Sequence, residues 1–205
     1  MNLPLKLKGV ALAALVATLV AACASSSPAP VLLTLPPVMA TSGTAATAAG
    51  ESAAMLAVRR VNIPEYLVAR RVRYRSDVAT LAEWPNTYWA ERIEIGVSRE
   101  FVSALRQQLP GWTVCDTNCG EKVPTLTLQV DLASMDFLRS AQKLQSRARI
   151  TLIGASAPMT VINTKEFGAD IPVGADTAQG HAQAITALIE RVAADTVPMI
   201  RNARR

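Results

Sequence analysis

Leu126-Thr127-Leu128-Gln129-Val130-Asp131-Leu132 is the stretch whose reading decides the fold. Apolar and polar side chains alternate residue by residue, which places four aliphatic groups on one face of a strand and three polar groups on the other. A polar turn at Arg139-Ser-Ala-Gln142 follows. Ala148, Ile150 and Leu152 then alternate with Arg147, Arg149 and Thr151. The chain turns again between Gly154 and Pro158, and Met159-Thr-Val-Ile-Asn-Thr-Lys-Glu-Phe167 supplies a third run. Three such runs joined by short turns predict an antiparallel meander, dry on one side and wet on the other.

Helical signals flank the meander. Upstream, Trp84-Pro85-Asn86-Thr87 predicts a helix start with Asn86 capping the first amides. Trp89, Ile93, Val97, Phe101 and Leu105 recur every four residues as the buried stripe of that helix, and Pro110-Gly111 ends it. Downstream, Ala175-Asp176-Thr177 is placed to cap a second helix whose buried side is Ile185, Leu188, Ile189 and Val192, with Pro198 as its stop. Earlier in the chain, three further strands are expected at residues 31–35, 55–61 and 68–75, the last two as a hairpin. Residues 40–54 are low in complexity and lack an apolar face, so they read as a flexible loop, with an Ala-rich helix as the alternative. Trp112-Thr-Val114 reads as a short strand leading into a cysteine loop. Together these predict one α/β domain over residues 31–200, built on a mixed, largely antiparallel sheet with two main helices, and a basic tail at 201–205.

The first residues read differently. Lys6 and Lys8 precede an apolar run that begins at Val10 and closes on Val20-Ala21-Ala22-Cys23. A positive head, a short apolar middle and small residues at the end make a secretory signal over residues 1–22. The run is shorter than the roughly 20 apolar residues a spanning helix needs. Small residues before Cys23 resemble a lipobox, so Cys23 is expected to be the lipidated first residue of the mature chain. Ala24-Ser-Ser-Ser-Pro-Ala-Pro30 then serves as a tether, residues 23–30 in all, reaching roughly 20 Å when extended. Several acyl chains on one cysteine exceed the two signals that stable anchoring takes. Cys115 and Cys119, with Gly120 following, suit a tight disulfide loop in an oxidising compartment; free thiols, or a metal or redox site, are the alternatives.

Composition narrows the function. The net charge is +5 over 205 residues, and Lys6 and Lys8 leave with the signal. No basic stretch interleaved with aromatics points to nucleic acid. The most basic segment holds Arg59, Arg60, Arg70, Arg71, Arg73 and Arg75. It reads either as a solvated, edge-protected sheet face or as a surface for an acidic partner or anionic headgroups. His181 is the single histidine and assembles no triad with its surroundings, so it reads as a helix-surface or locally packed residue. Ser140-Ala-Gln-Lys143 matches a Ser-x-x-Lys tetrapeptide but lies in a turn, without the partner motifs such enzymes need. No catalytic residue, metal site or cofactor is expected.

The order of these signals resembles the ABC-type transport auxiliary lipoproteins of the PqiC/YmbA type. The likeness rests on Cys23, Leu33-Thr-Leu-Pro36, Val61-Asn-Ile-Pro-Glu-Tyr-Leu67, Arg70-Arg-Val-Arg73 and the Trp84…Tyr88-Trp-Ala-Glu-Arg-Ile93 span. It departs where Leu33 replaces the aromatic of a Tyr-x-Leu first strand, and the Cys115–Cys119 loop looks like a local addition. The resemblance implies a fold like the TolB N-terminal or anticodon-binding type. It also implies a non-enzymatic adaptor that docks an MCE-domain lipid transporter at the outer membrane and supports membrane integrity. Its place is then the periplasmic face, held to outer-membrane lipid through Cys23, with Ala24 rather than aspartate directing it there by the usual sorting rule. A homo-oligomeric ring is an associated expectation. Tyr66, Arg70, Arg71, Arg73 and Trp84 are the expected partner contacts, because aromatics and arginines are enriched in binding hot spots, while Tyr66 and Trp84 read equally well as core. The competing readings are an envelope-assembly lipoprotein that binds peptidoglycan or another secreted protein, a lipid-anchored hydrolase, and a soluble lipid carrier with a large apolar cavity.

Overall fold

The computed structural model describes residues 28–39, 54–117, 119–154 and 159–203. Cys23, the signal segment and most of the tether and of the 40–54 loop lie outside the described residues. The compact domain starts at Val31.

The meander is the frame of that domain. Strands β6 (Leu126–Leu138), β7 (Lys143–Gly154) and β8 (Val161–Pro172) pair antiparallel almost end to end. Each runs further than the alternation alone suggested, and β8 extends five residues past Phe167. A bulge between Leu132 and Ser134 shifts the phase of β6, so Met135 and Phe137 face the core after Leu132. The Ser146 hydroxyl donates to the Ser134 carbonyl at 2.7 Å, and the Arg147 amide donates to the Ser134 hydroxyl at 3.1 Å. The polar groups opened by the bulge are thus met locally. Gln142 takes the left-handed conformation (φ 46°) that closes the turn from β6 to β7.

On its other edge β6 carries two groups of strands. Its first residues pair in parallel with β2 (Met55–Val58), which in turn holds β5 (Thr113–Asp116) in parallel. Its last residue, Leu138, pairs with Arg75 of β3 (Arg71–Arg75). Antiparallel β4 (Leu81–Trp89) follows β3, and β1 (Val31–Leu33) lies parallel to β4. The expected hairpin of β2 and β3 does not form: β6 lies between them, and the β3 hairpin partner is β4.

Helix α1 (Ile93–Gln108) begins later than the sequence predicted. Trp84 to Trp89 belong to β4, and Asn86 sits in a bulge with φ 49° instead of capping a helix. Pro85 has no amide to give a ladder, and the register shift beside it absorbs that loss. The apolar stripe from Ile93 to Leu105 is helical and buried as predicted, while Trp89 reaches the same core from the strand. Helix α2 (Ala178–Asn202) starts as expected, its Thr177 hydroxyl accepting from the Gly180 amide at 3.0 Å. Pro198 does not stop it. The lost bond of an internal proline costs about 3 kcal/mol. Burial of Val197, Met199 and Ile200 beyond it offsets that cost. Both helices pack on the same face of the sheet, and their apolar residues join those of every strand in one core.

Candidate functional site

Strands β3, β4 and β6 present two chemically different faces, and the expected contact residues divide between them. Val72 and Tyr74 point to the helices, while Arg71, Arg73 and Arg75 point to the face that the helices leave uncovered. On that open face Glu83 of β4 meets Arg71 and Arg73 at 3.3 Å each. Arg73 also donates to the Tyr66 carbonyl at 2.8 Å. Arg71 stacks over the Tyr88 ring at 5.2 Å, and Arg75 over the Tyr66 ring at 5.5 Å. Asp136 of β6 joins the group: it accepts from the Tyr66 hydroxyl at 2.9 Å and pairs with Arg75 at 3.0 Å. Burial, and then the Asp136 carboxylate, push the Tyr66 hydroxyl above its ordinary pKa.

Tyr66, Arg71 and Arg73 therefore converge. Tyr66 is brought there by a single 3-10 turn (Glu65–Leu67) that follows Pro64. Arg70 is exposed, and its carbonyl accepts from the Trp89 amide at 2.7 Å. Trp84 does not join them. It points to the other face and retains only 8% of its surface, so it belongs to the core and offers a partner almost nothing. Asp136, Glu83 and Arg75 complete the open-face network; the Glu83 pairings depend on the β3–β4 hairpin, which the sequence reading did not expect, and Asp136 meets Arg75 across distant strands.

On the covered face Trp84 opens an aromatic series. Its ring lies 5.1 Å from Tyr74 and 6.2 Å from Phe137, and Phe137 stacks on His181 at 4.9 Å. Arg139 closes the outer end, over Trp84 at 4.7 Å and Tyr74 at 5.0 Å, with Asp176 at 2.9 Å from its Nε. His181, expected on a helix surface or packed locally, is packed: it is 3% exposed in the first turn of α2. Burial pushes its pKa down to about 4, so the ring is neutral near pH 7. Its Nδ1 and the Trp84 Nε1 are buried without a hydrogen-bond partner among the described residues. Ser140 stands exposed in the turn that follows β6. The Ser-x-x-Lys tetrapeptide is thus a solvated turn running into β7, while the histidine is enclosed by rings.

Cys115 and Cys119 are joined by a disulfide at the end of β5. No cluster of three or more metal-ligating side chains occurs among the described residues. The apolar void between sheet and helices, lined by Val61, Phe101, Leu132 and Leu188 among others, measures about 10 Å³. That is roughly the space of one water, far below the 300–1,000 Å³ of small-ligand sites.

Comparison with known proteins bears on this arrangement. The sequence profile of the ABC-type transport auxiliary lipoprotein component family matches residues 33–197, from β1 to near the end of α2. The intermembrane transport lipoprotein PqiC of Escherichia coli (strain K12) is 32% identical over 89 residues. PqiC of Shigella flexneri matches equally. The matched stretch is 43% of this chain and 47% of those relatives, so the chain aligns with about half their length. Among solved structures, an uncharacterised protein superposes with a TM-score of 0.68 at 17% identity, covering 84% of this chain and 99% of that one. Protein XCC0632 of Xanthomonas campestris gives 0.60 at 15% identity, covering 86% and 98%. At such identities the likeness concerns the fold.

Proposed function

The chain belongs to the family of ABC-type transport auxiliary lipoprotein components, and from that premise we propose that it is a non-enzymatic adaptor of a lipid-transport system. The family match over almost the whole domain carries this reading. In it, residues 1–22 are a signal, acylated Cys23 holds the protein to the periplasmic face of the outer membrane, and residues 24–30 tether the domain. The domain then docks an MCE-domain periplasmic protein and its transporter against that membrane, as a single copy or as a ring, and so supports membrane integrity. The open face around Tyr66, Arg70, Arg71 and Arg73 is the proposed contact surface. Tyr66, Arg71 and Arg73 are held there by Glu83 and Asp136 and are presented without rearrangement.

Crosslinking in intact cells followed by purification tests the reading. Recovery of an MCE-domain protein with the wild-type chain, and its loss on Cys23→Ala, is the expected result. Recovery of cell-wall fragments in its place would favour the envelope-assembly reading.

A further inference from the structure

A cleft of about 320 Å³ opens beyond the carboxyl ends of the adjacent parallel strands β2 and β5, against one side of α1. Crevices at the carboxyl ends of parallel strands are where open α/β sheets commonly hold ligands. Arg60, Arg99 and Arg106 line it, with Asp116 as its acidic group and Ile95 and Val102 as its apolar part. The three arginines are held differently. Arg99 is committed to the protein, reaching both Glu91 oxygens at 2.7 Å and Glu100 at 2.9 Å. Arg106 spends only its Nε, on the Val114 carbonyl at 3.0 Å. That bond fixes the guanidinium plane, while the two terminal nitrogens hold no hydrogen bond among the described residues. Arg60 is exposed and makes no ion pair or hydrogen bond among the described residues. Asp116 is turned to its own neighbour, accepting from the Thr117 amide at 2.7 Å and hydroxyl at 3.0 Å.

We propose that this cleft binds a phosphoryl group, gripped by Arg60 and Arg106 while Arg99 and its glutamates keep the wall rigid. A planar guanidinium presents paired donors that match phosphate oxygens, and two of them neutralise a phosphate better than one. The volume lies at the lower end of small-ligand sites. Ile95 and Val102 add apolar contact for a glycerol backbone. The proposal rests on the lipid-transport reading for its biological source, a phospholipid headgroup; free phosphate shares the chemistry.

The full-length protein in neutral detergent micelles can be titrated with inorganic phosphate and with glycerol 3-phosphate, following the arginine Nε signals by NMR. Saturable shifts confined to Arg60, Arg99 and Arg106 are expected. Arg60→Gln and Arg106→Gln should each weaken binding about tenfold or more, the worth of one hydrogen bond to a charged group. Arg106→Lys, which keeps the charge and loses the fork, should also weaken it. Tighter binding of glycerol 3-phosphate identifies a headgroup site, and equal binding a site for free phosphate. Shifts spread equally over exposed Arg70 and Arg147, or no saturation, would overturn the cleft as a site. A protein that ignores phosphate yet still recovers the transporter would sink this inference and leave the adaptor reading standing. One that binds phosphate and recovers no transporter would do the reverse.

Discussion

The two faces of β3, β4 and β6 differ by one residue in register and by most of their chemistry. One side carries Val72, Trp84 and Phe137, the rings stacking down to His181 in the first turn of helix α2. The other carries Arg71 and Arg73 paired with Glu83 in contact with solvent, and Arg75 paired with the more deeply set Asp136. Rings removed from water stabilise in proportion to buried area, whereas exposed ion pairs contribute between nothing and about 1 kcal/mol each. The covered face therefore holds the domain together, and the open face is free to be shaped for contact. Arginine density in the sequence marks that open surface without marking a source of stability.

Truncation of the covered face should give the largest effect. Phe137→Ala is expected to cost about 3–5 kcal/mol, read as a lowered urea midpoint, because it removes the ring between Trp84 and His181 in a fully packed site. A cost near that of a surface substitution would erase the contrast between the faces.

Next comes pH. His181 is held neutral, with its pKa pushed down to about 4 by burial, against about 6.5 in an unfolded chain. Between those values the unfolded state binds the additional proton. The domain should therefore keep its full stability above about pH 6.5 and lose it progressively toward pH 4, by on the order of 3 kcal/mol. His181→Leu should remove that component, so that urea midpoints of variant and wild type diverge with pH across this window. Parallel curves would show that the ring does not titrate as its burial dictates.

The smallest effects belong to the open face. Tyr66→Phe should cost about 1 kcal/mol through the lost bond to Asp136. Arg71→Ala should cost less than about 1 kcal/mol, while reducing recovery of the crosslinked partner. A large stability loss from Arg71→Ala with unchanged recovery would show the face to be structural.

The meander and the start of α2 were legible because their signals are local: period-two alternation from Leu126, turn residues at 139–142, and the capping stretch Ala175-Asp176-Thr177. The reading failed where local chemistry has two outcomes. Trp84-Pro-Asn suits a helix start as well as a bulged strand, and the pairing of β4 with β1 and β3 chose the strand. Pro198 suits a helix end, yet the buried residues on both sides of it keep the helix going. Of the expected contacts, Tyr66, Arg71 and Arg73 converge, and Trp84 is turned inward by the parity of its strand. The grouping of Arg60 with Arg99 and Arg106 had no local signal, since β2 and α1 meet only through the fold.

By itself the sequence determined the class of fold, the meander and the chemical character of the meander's two faces, since backbone periodicity converts directly into side-chain direction. It also carried the family resemblance. Only the tertiary structure decided that β6 separates β2 from β3, which face Trp84 takes and which arginines share a cleft. Those outcomes depend on contacts between residues tens of positions apart, whose energies no local pattern encodes.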